Sequence, residues 1–259
     1  MSVHDVQIAF LAEASESEDA YSCMTEVPVP WPDALDVCRA WCADNVGTLI
    51  HGLHLRDNTR TVIGHLYYAF SGRALVAYDI EEGVAVVHCE WIQRRHQGKG
   101  YSRLLFEALI HRLEAEDCKG ILVLATDDDQ HMHHRHYARR GFTTLRQDGA
   151  VWLMYYPLRQ ERVKAKPLAH RIPTGRRYPV EVLVFTGGLC PYETVTALQA
   201  LEVAREFGRR VMVKEIPASR EALVRYGTVE GVWINGRRLS GGGLPEEAIR
   251  LAIGEALEG

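Results

Sequence analysis

The stretch Gln97-Gly98-Lys99-Gly100-Tyr101-Ser102 constrains this chain most. It follows an apolar, β-branched run at residues 83–92 (GVAVVHCEWI) and opens a long segment, residues 99–116. In that segment Leu104, Leu105, Ala108, Leu109 and Leu113 fall at helical spacing. A strand that turns through glycines into a helix brings several first-turn amides, which lack intrahelical acceptors, to one point. The helix dipole adds positive potential there, and glycine lets the backbone bend closely around an anion. The pyrophosphate of a nucleotide cofactor suits such a cradle; a plain glycine-rich strand–helix turn is the alternative. The spacing is neither that of a Walker loop nor GxGxxG.

Around this turn the chain reads as α/β. Residues 32–45 form an amphipathic helix, and residues 61–70 and 74–80 pair as a hairpin through Ser71-Gly72. Residues 83–92 and 120–125 are strands, and residues 131–140 are a helix closed by Gly141 as its C-terminal cap. Residues 142–145 and 151–156 complete a first domain, residues 1–157. Residues 158–179 (LRQERVKAKPLAHRIPTGRRYP) hold seven Lys/Arg, one Glu and three prolines without apolar periodicity, and read as an exposed basic linker. Contact with phosphates or RNA is the other reading of that basic run. A second domain, residues 180–259, follows in the order β-α-β-α-β-β-α, with a hairpin at 231–235 and 237–240 turned by Asn235-Gly236.

The first domain resembles the GNAT acetyltransferase superfamily. Gln97-x-x-Gly100-x-Ser102 follows that family's Q/R-x-x-G-x-G/A loop, with Ser in place of the last small residue, and Tyr137-Ala138-Arg139-Arg140-Gly141-Phe142 follows its Y-x-x-x-G-F motif. The two motifs stand in the family's order and separation over about residues 80–157. The resemblance implies a mixed-sheet acyl-CoA N-acyltransferase fold and acetyl-CoA as co-substrate. It implies contacts from Trp91, Ile92, Gln97, Gly98, Lys99, Gly100, Tyr101 and Ser102. A bulge in the strand that ends at Glu90-Trp91-Ile92 would splay it from its neighbour, freeing backbone groups to hold the pantetheine arm. The family often has Asn seven residues before the tyrosine; this chain has Gln130.

Acetyl transfer to an amine requires a neutral amine, donors for the tetrahedral oxyanion and a proton for the leaving thiolate. The resemblance gives Tyr137 the acid role and the backbone around Ile92 the oxyanion. Glu90 and Asp127 are candidate bases, with Glu81, Glu82, Asp128 and Asp129 as further carboxylates and a water chain as the alternative. The run His131-Met132-His133-His134-Arg135-His136 offers two i,i+3 pairs but no nearby Cys, so a solvated helix start is preferred to a metal site. Cys38 and Cys42 read as core thiols on one helix face, and Cys89 as a buried strand residue.

In the second domain Cys190-Pro191-Tyr192-Glu193 resembles a glutaredoxin CPYC site, and Thr228-Val229-Glu230 with Gly241-Gly242-Gly243 resembles the family's later segments. The resemblance implies a thioredoxin-like fold. Glu193 replaces the resolving Cys and Glu230 the proline, which argues against a dithiol cycle. Cys190, before a helix whose dipole favours thiolate, remains a candidate thiol site. The domain otherwise binds the acceptor, a partner or its own twin, giving a homodimer. The whole arrangement is similar to bacterial GNAT proteins that carry a thioredoxin-like extension.

Three functions follow from this reading: an N-acetyltransferase acting on a small-molecule amine or Lys-like peptide group by direct attack in a ternary complex, a thiol-active protein using Cys190, and a non-catalytic acetyl-CoA sensor. The net charge of −4 argues against a nucleic-acid partner, and no run approaches the ~20 apolar residues of a membrane span. The first twenty residues lack the pattern of a secretory leader, and the cysteines lack zinc spacing, so reduced thiols in the cytoplasm are expected.

Overall fold

The computed structural model describes residues 6–26, 31–128, 131–175, 178–239 and 242–258. Asp129, Gln130 and Gly241 lie outside them. The elements run β1 (Gln7–Leu11), α1 (Pro32–Asn45), β2 (His51–Arg56), β3 (Val62–Phe70), β4 (Tyr78–Ile80), β5 (Val84–Ile92), α2 (Tyr101–Ala115) and β6 (Gly120–Thr126). Then come α3 (His134–Ala138), β7 (Thr143–Asp148), β8 (Val151–Pro157), β9 (Ala165–Pro167), β10 (Val180–Thr186), α4 (Pro191–Glu206), β11 (Val211–Pro217), α5 (Arg220–Tyr226), β12 (Val232–Ile234), β13 (Arg237–Leu239) and α6 (Glu246–Glu258).

Two compact units emerge, and the division is not one cut after residue 157. The first comprises Met1–Pro28, Cys42–Ala74 and Asp79–Lys166; the second comprises Val29–Trp41, Leu75–Tyr78 and Pro167–Gly259. The segment expected as a free linker is anchored on each side of that division. In the first unit the amides of Leu158, Arg159 and Gln160 all donate to the Lys119 carbonyl, at 3.1, 3.0 and 3.1 Å. In the second, Ile172 is buried against Leu183, Phe185 and Trp233. A few apolar side chains and one carbonyl order a stretch whose composition looks solvated.

The first unit is built on a seven-stranded sheet in the order β1-β2-β3-β5-β6-β8-β7. Every neighbouring pair is antiparallel except β5 and β6. The expected hairpin between residues 61–70 and 74–80 does not form. β3 has β2 on one edge and β5 on the other, so residues 74–80 find no open edge; the amide of Ser71 already donates to the Val84 carbonyl at 2.8 Å. The early strands β1 and β2 escaped the sequence reading because His51-Gly52-Leu53-His54 is poor in β-branched residues. α2 lays Tyr101, Leu105, Phe106, Leu109 and Leu113 on a core that includes Ala85, Val87, Ile121 and Val123. The helix expected over residues 131–140 is only α3. The side chain of His133 accepts the Arg135 amide as N-cap at 3.0 Å, and His133 itself bridges to Thr126 in extended form. Gly141, at φ 93°, carries the chain out of the turn that follows.

The second unit has a four-stranded sheet in the order β11-β10-β12-β13. β10 and β11 are parallel, and the other two pairs are antiparallel. Val180, Val182 and Val184 pack against Ala197, Ala200, Val203 and Ala204 of α4 and Ile249 and Ile253 of α6. Asn235 and Gly236, at φ 47° and 79°, make the tight turn between β12 and β13. Cys38 of α1 belongs to this unit's interior, its thiol 3.3 Å from the Thr194 hydroxyl, and Trp31, just before α1, meets Tyr192 edge-on at 5.2 Å.

Gly120 opens β6 where the ring of Tyr155, fully buried, crosses it, and a Cβ there would collide with that ring. The Tyr155 hydroxyl is tied to the carbonyls of Lys119 and Gln160 at 3.1 and 2.7 Å, so the ring has nowhere to retreat. Gly120→Ala is expected to destabilise the first unit by about 1–3 kcal/mol in chemical denaturation; an unchanged midpoint would show that the ring is free to move.

Candidate active site

The site begins with a fault in strand pairing. In the β3–β5 ladder Tyr67 faces Cys89 and Tyr68 faces Val87, which leaves His88 as an extra residue in β5. The parallel ladder of β5 with β6 covers only residues 84–87 and 120–123. Beyond it β6 continues against β8, while β5 runs to Ile92 without a β6 partner. The Gln93 amide donates to the Ile63 carbonyl at 2.9 Å. Amides alternate in direction along an antiparallel strand, so the Ile92 N–H points away from β3, toward the side that β6 has left.

The turn after β5 completes a cradle. Gly98 and Gly100 adopt φ of 74° and 80°, a region that other residues enter at a cost. A Cβ at either position would meet nothing within 4 Å, so the space in front of the turn is open. The side-chain amide of Gln97 donates to the Ile92 carbonyl at 2.9 Å, closing the loop onto the strand end; Gln97 is a brace. α2 starts directly after Gly100, with its first-turn amides facing outward.

A cavity of about 550 Å³ runs from this turn along the end of β5 to α3. Trp91, His96 and Tyr101 line it, and each has a buried polar atom without a hydrogen-bond partner among the described residues: the indole Nε1, Nδ1 and the phenol oxygen.

At the cavity floor lies a buried ionic cluster. Glu90 receives both guanidinium nitrogens of Arg140, at 2.8 and 2.9 Å, the Ser102 hydroxyl at 2.5 Å and the Tyr137 phenol at 3.2 Å. Arg140 also donates to Ser102 Oγ, and His136 Nε2 stands 3.2 Å from the same oxygen. Burial alone would push the Glu90 carboxyl up. The hydrogen bonds of His136, Arg140 and Ser102, with the charge of Arg140, bring it down to about 2. Burial, and next the Glu90 charge, hold the Tyr137 phenol well above its usual range.

These facts place the expected residues. Glu90, ionised and fully engaged, is too weak a base to deprotonate an amine. Asp127 does not line the cavity; its carboxylate takes the Trp152 indole N–H at 2.9 Å and lies 3.3 Å from His134. Lys99 is exposed and also outside the lining. Trp91, Ile92, Gln97, Gly98, Gly100, Tyr101, Ser102 and Tyr137 do come together there. His134 stacks on Trp152 at 4.1 Å instead of joining a metal set, and no cluster fit to hold a metal ion occurs among the described residues. The sequence reading gave Arg140 no role and placed Ser102 only among the cofactor contacts. The usable clue was a Glu in an otherwise apolar strand, since a buried carboxylate must find a counter-charge.

Cys190 caps α4 in the second unit. Burial pushes its thiol up to about 11, and the Glu193 and Glu230 carboxylates outweigh part of what the Glu193 and Tyr192 amides return. Burial and the carboxylates thus oppose the lowering expected from the helix end. The space beside it is only about 30 Å³, and the preceding Gly188 abuts Trp41.

A family model described as "Acetyltransferase (GNAT) family" matches residues 15–142. Among solved structures, the chain is similar to the GNAT family N-acetyltransferase YhbS of Escherichia coli in complex with CoA, at 14% identity over 59% of this chain and 81% of that one, with a TM-score of 0.44. It is also similar to a GNAT family acetyltransferase from Brucella melitensis in complex with acetyl-CoA (17% identity, 62% and 95% coverage, TM-score 0.41). A third is the PaiA N-acetyltransferase of Thermoplasma acidophilum in complex with coenzyme A (12%, 59% and 99%, 0.41). A search of curated proteins finds no match. Over residues 15–142 this chain is therefore similar to the acetyltransferase domain of the GNAT family.

Proposed function

We propose that the first unit transfers the acetyl group of acetyl-CoA to an amine by direct attack in a ternary complex. The observation that carries this reading is the cavity itself: a positive-φ glycine turn at a helix start, open to the strand edge of β5 that β6 has left. The amides of Gly98, Gly100, Tyr101 and Ser102 suit a pyrophosphate. The free edge of β5 suits an amide-bearing arm, and the Ile92 N–H suits an oxyanion. The co-substrate supplies an activated acetyl thioester.

In this reading Tyr137 remains the acid. Its phenol stays protonated at working pH, held so by burial and by the Glu90 charge. In the resting site its O–H donates to Glu90, a carboxylate near 2 that leaves the proton on the phenol, and a nascent thiolate in the cavity, whose conjugate acid lies near 8–9, is the stronger acceptor. With Glu90 satisfied and Asp127 outside the cavity, the amine proton leaves to water. The acceptor is a small-molecule amine or a Lys-like group.

We read the second unit as thioredoxin-like. The β11-β10-β12-β13 order with a parallel first pair, and α4 following β10, support this reading. It serves as a binding or scaffold module, in which burial and the neighbouring carboxylates speak against a thiol cycle at Cys190.

Calorimetric titration with acetyl-CoA tests the co-substrate. Wild type is expected to bind, and Gly100→Glu, which adds charge and a strained φ at the cradle, to weaken binding by about 100-fold or more. Equal binding by both would remove the cradle from the account. For the thiol, a pKa of about 11 leaves on the order of one thiolate in a thousand at pH 8. Cys190→Ser should thus leave the fast phase of native thiol titration unchanged; a lost fast thiol would restore the thiol-active reading.

A further inference from the structure

The ionic cluster under the cavity holds more than the transfer reaction obviously needs. Ser102 belongs to the first turn of α2, Tyr137 to α3, Arg140 to the turn after α3, and Glu90 to the end of β5, which pairs with β3 but has no β6 partner. One carboxylate thus touches both sequence motifs: the anion-binding turn through Ser102 and the phenol through Tyr137. The side chain of Glu90 is 5% exposed and that of Arg140 12%, so the pair is shielded from solvent and closed by two parallel hydrogen bonds. The Arg140 guanidinium also lies over the ring of Phe106 at 5.0 Å and near that of Tyr137 at 5.9 Å, which fixes its plane.

We infer that Arg140 is a positioning residue for acetyl transfer: by keeping Glu90 an anion, it holds Ser102 in the cofactor turn and the Tyr137 hydroxyl in one arrangement. This inference rests on the acetyltransferase reading of the same cavity. Arg140 touches neither the acyl group nor the amine and acts through Glu90. As a carboxylate, Glu90 can only accept, so the hydroxyls of Ser102 and Tyr137 must both donate to it. A protonated Glu90 would carry its own O–H and compete for that geometry, and both hydroxyls would be released to other orientations. The groups facing Glu90 are Ser102 from α2, His136 and Tyr137 from α3, Arg140 beyond it, and His65 of β3 at longer electrostatic range. Of these only Arg140 is a fixed cation, and His65 is held neutral by burial, down to about 3. Removing the guanidinium therefore leaves the carboxylate without a permanent counter-charge.

The test is the pH profile of kcat for Arg140→Met beside wild type. Wild type has no limb from Glu90 near neutrality. In R140M the buried, unpaired carboxyl moves up, and the ratio of its kcat to that of wild type at the same pH should fall by about 10-fold or more as pH is lowered from about 8 to about 5, while KM for acetyl-CoA stays within about 3-fold. E90Q/R140M should lose that limb, since it has no carboxyl to titrate. R140K, which restores charge without the two-pronged bond, should shift the limb back toward acid. Identical pH profiles in R140M and wild type, or a loss confined to KM, would overturn the assignment. If R140M does not fold, E90Q/R140M decides, because it buries no charge. A folded, pH-independent double variant with reduced kcat supports the inference, and wild-type kcat in that variant refutes it. Absence of acetyl transfer by wild type at every pH would overturn the acetyltransferase reading and this inference together; transfer by wild type with an unaltered R140M overturns this inference alone.

Discussion

Pairing between β5 and β6 stops at Val87 and Val123, and most of the site follows from that stop. A parallel ladder that ran on to Ile92 would spend the amides of β5 on β6 and fill the gap with side chains. The extra residue His88 breaks the alternation with β3 just where the ladder ends. The bulge bends β5 away, and its final residues keep backbone groups for a ligand. Because the same strand feeds the Gly98 and Gly100 turn, an unpaired edge and a helix N-terminus meet in one cavity.

Such an opening in a sheet has a cost, and the ionic cluster beneath it is suited to bear it. Glu90 stands on the parted strand, yet its carboxylate is bound from α2 and from the α3 turn. A buried ion pair is weak evidence for net stability, because desolvation offsets most of its attraction. What it supplies is a single geometry: two hydroxyls and one guanidinium converge on two oxygens. An apolar residue at position 90 would pack as well and would specify less.

The parts of this architecture that were legible in the sequence are those with a strict local requirement. Gly98 and Gly100 announce positive φ, Asn235-Gly236 announces a tight hairpin, and the apolar period of α2 announces its buried face. What escaped depends on distant partners. Residues 74–80 look like a hairpin arm until β5 is seen on the edge they would need. Residues 158–175 look solvated until Lys119 O and the Ile172 contacts are known. The two base candidates depend on distant partners in the same way. Asp127 is a plausible base by position but is held by Trp152, and Glu90 needed Arg140, fifty residues away, to define its charge. At Cys190 the helix end and burial act in opposite directions, and only the burial, invisible in the sequence, decides the sign.

The central claim is that one cradle, from the end of β5 through the first turn of α2, receives the co-substrate. Amide hydrogen exchange on the full chain, with and without saturating acetyl-CoA, tests it most directly. The account predicts slowed exchange at Ile92, Gly98, Gly100, Tyr101 and Ser102, with the amides around Asp127 and Cys190 unaffected. Protection confined to the second unit, or spread evenly over both units without the cradle amides, would contradict it.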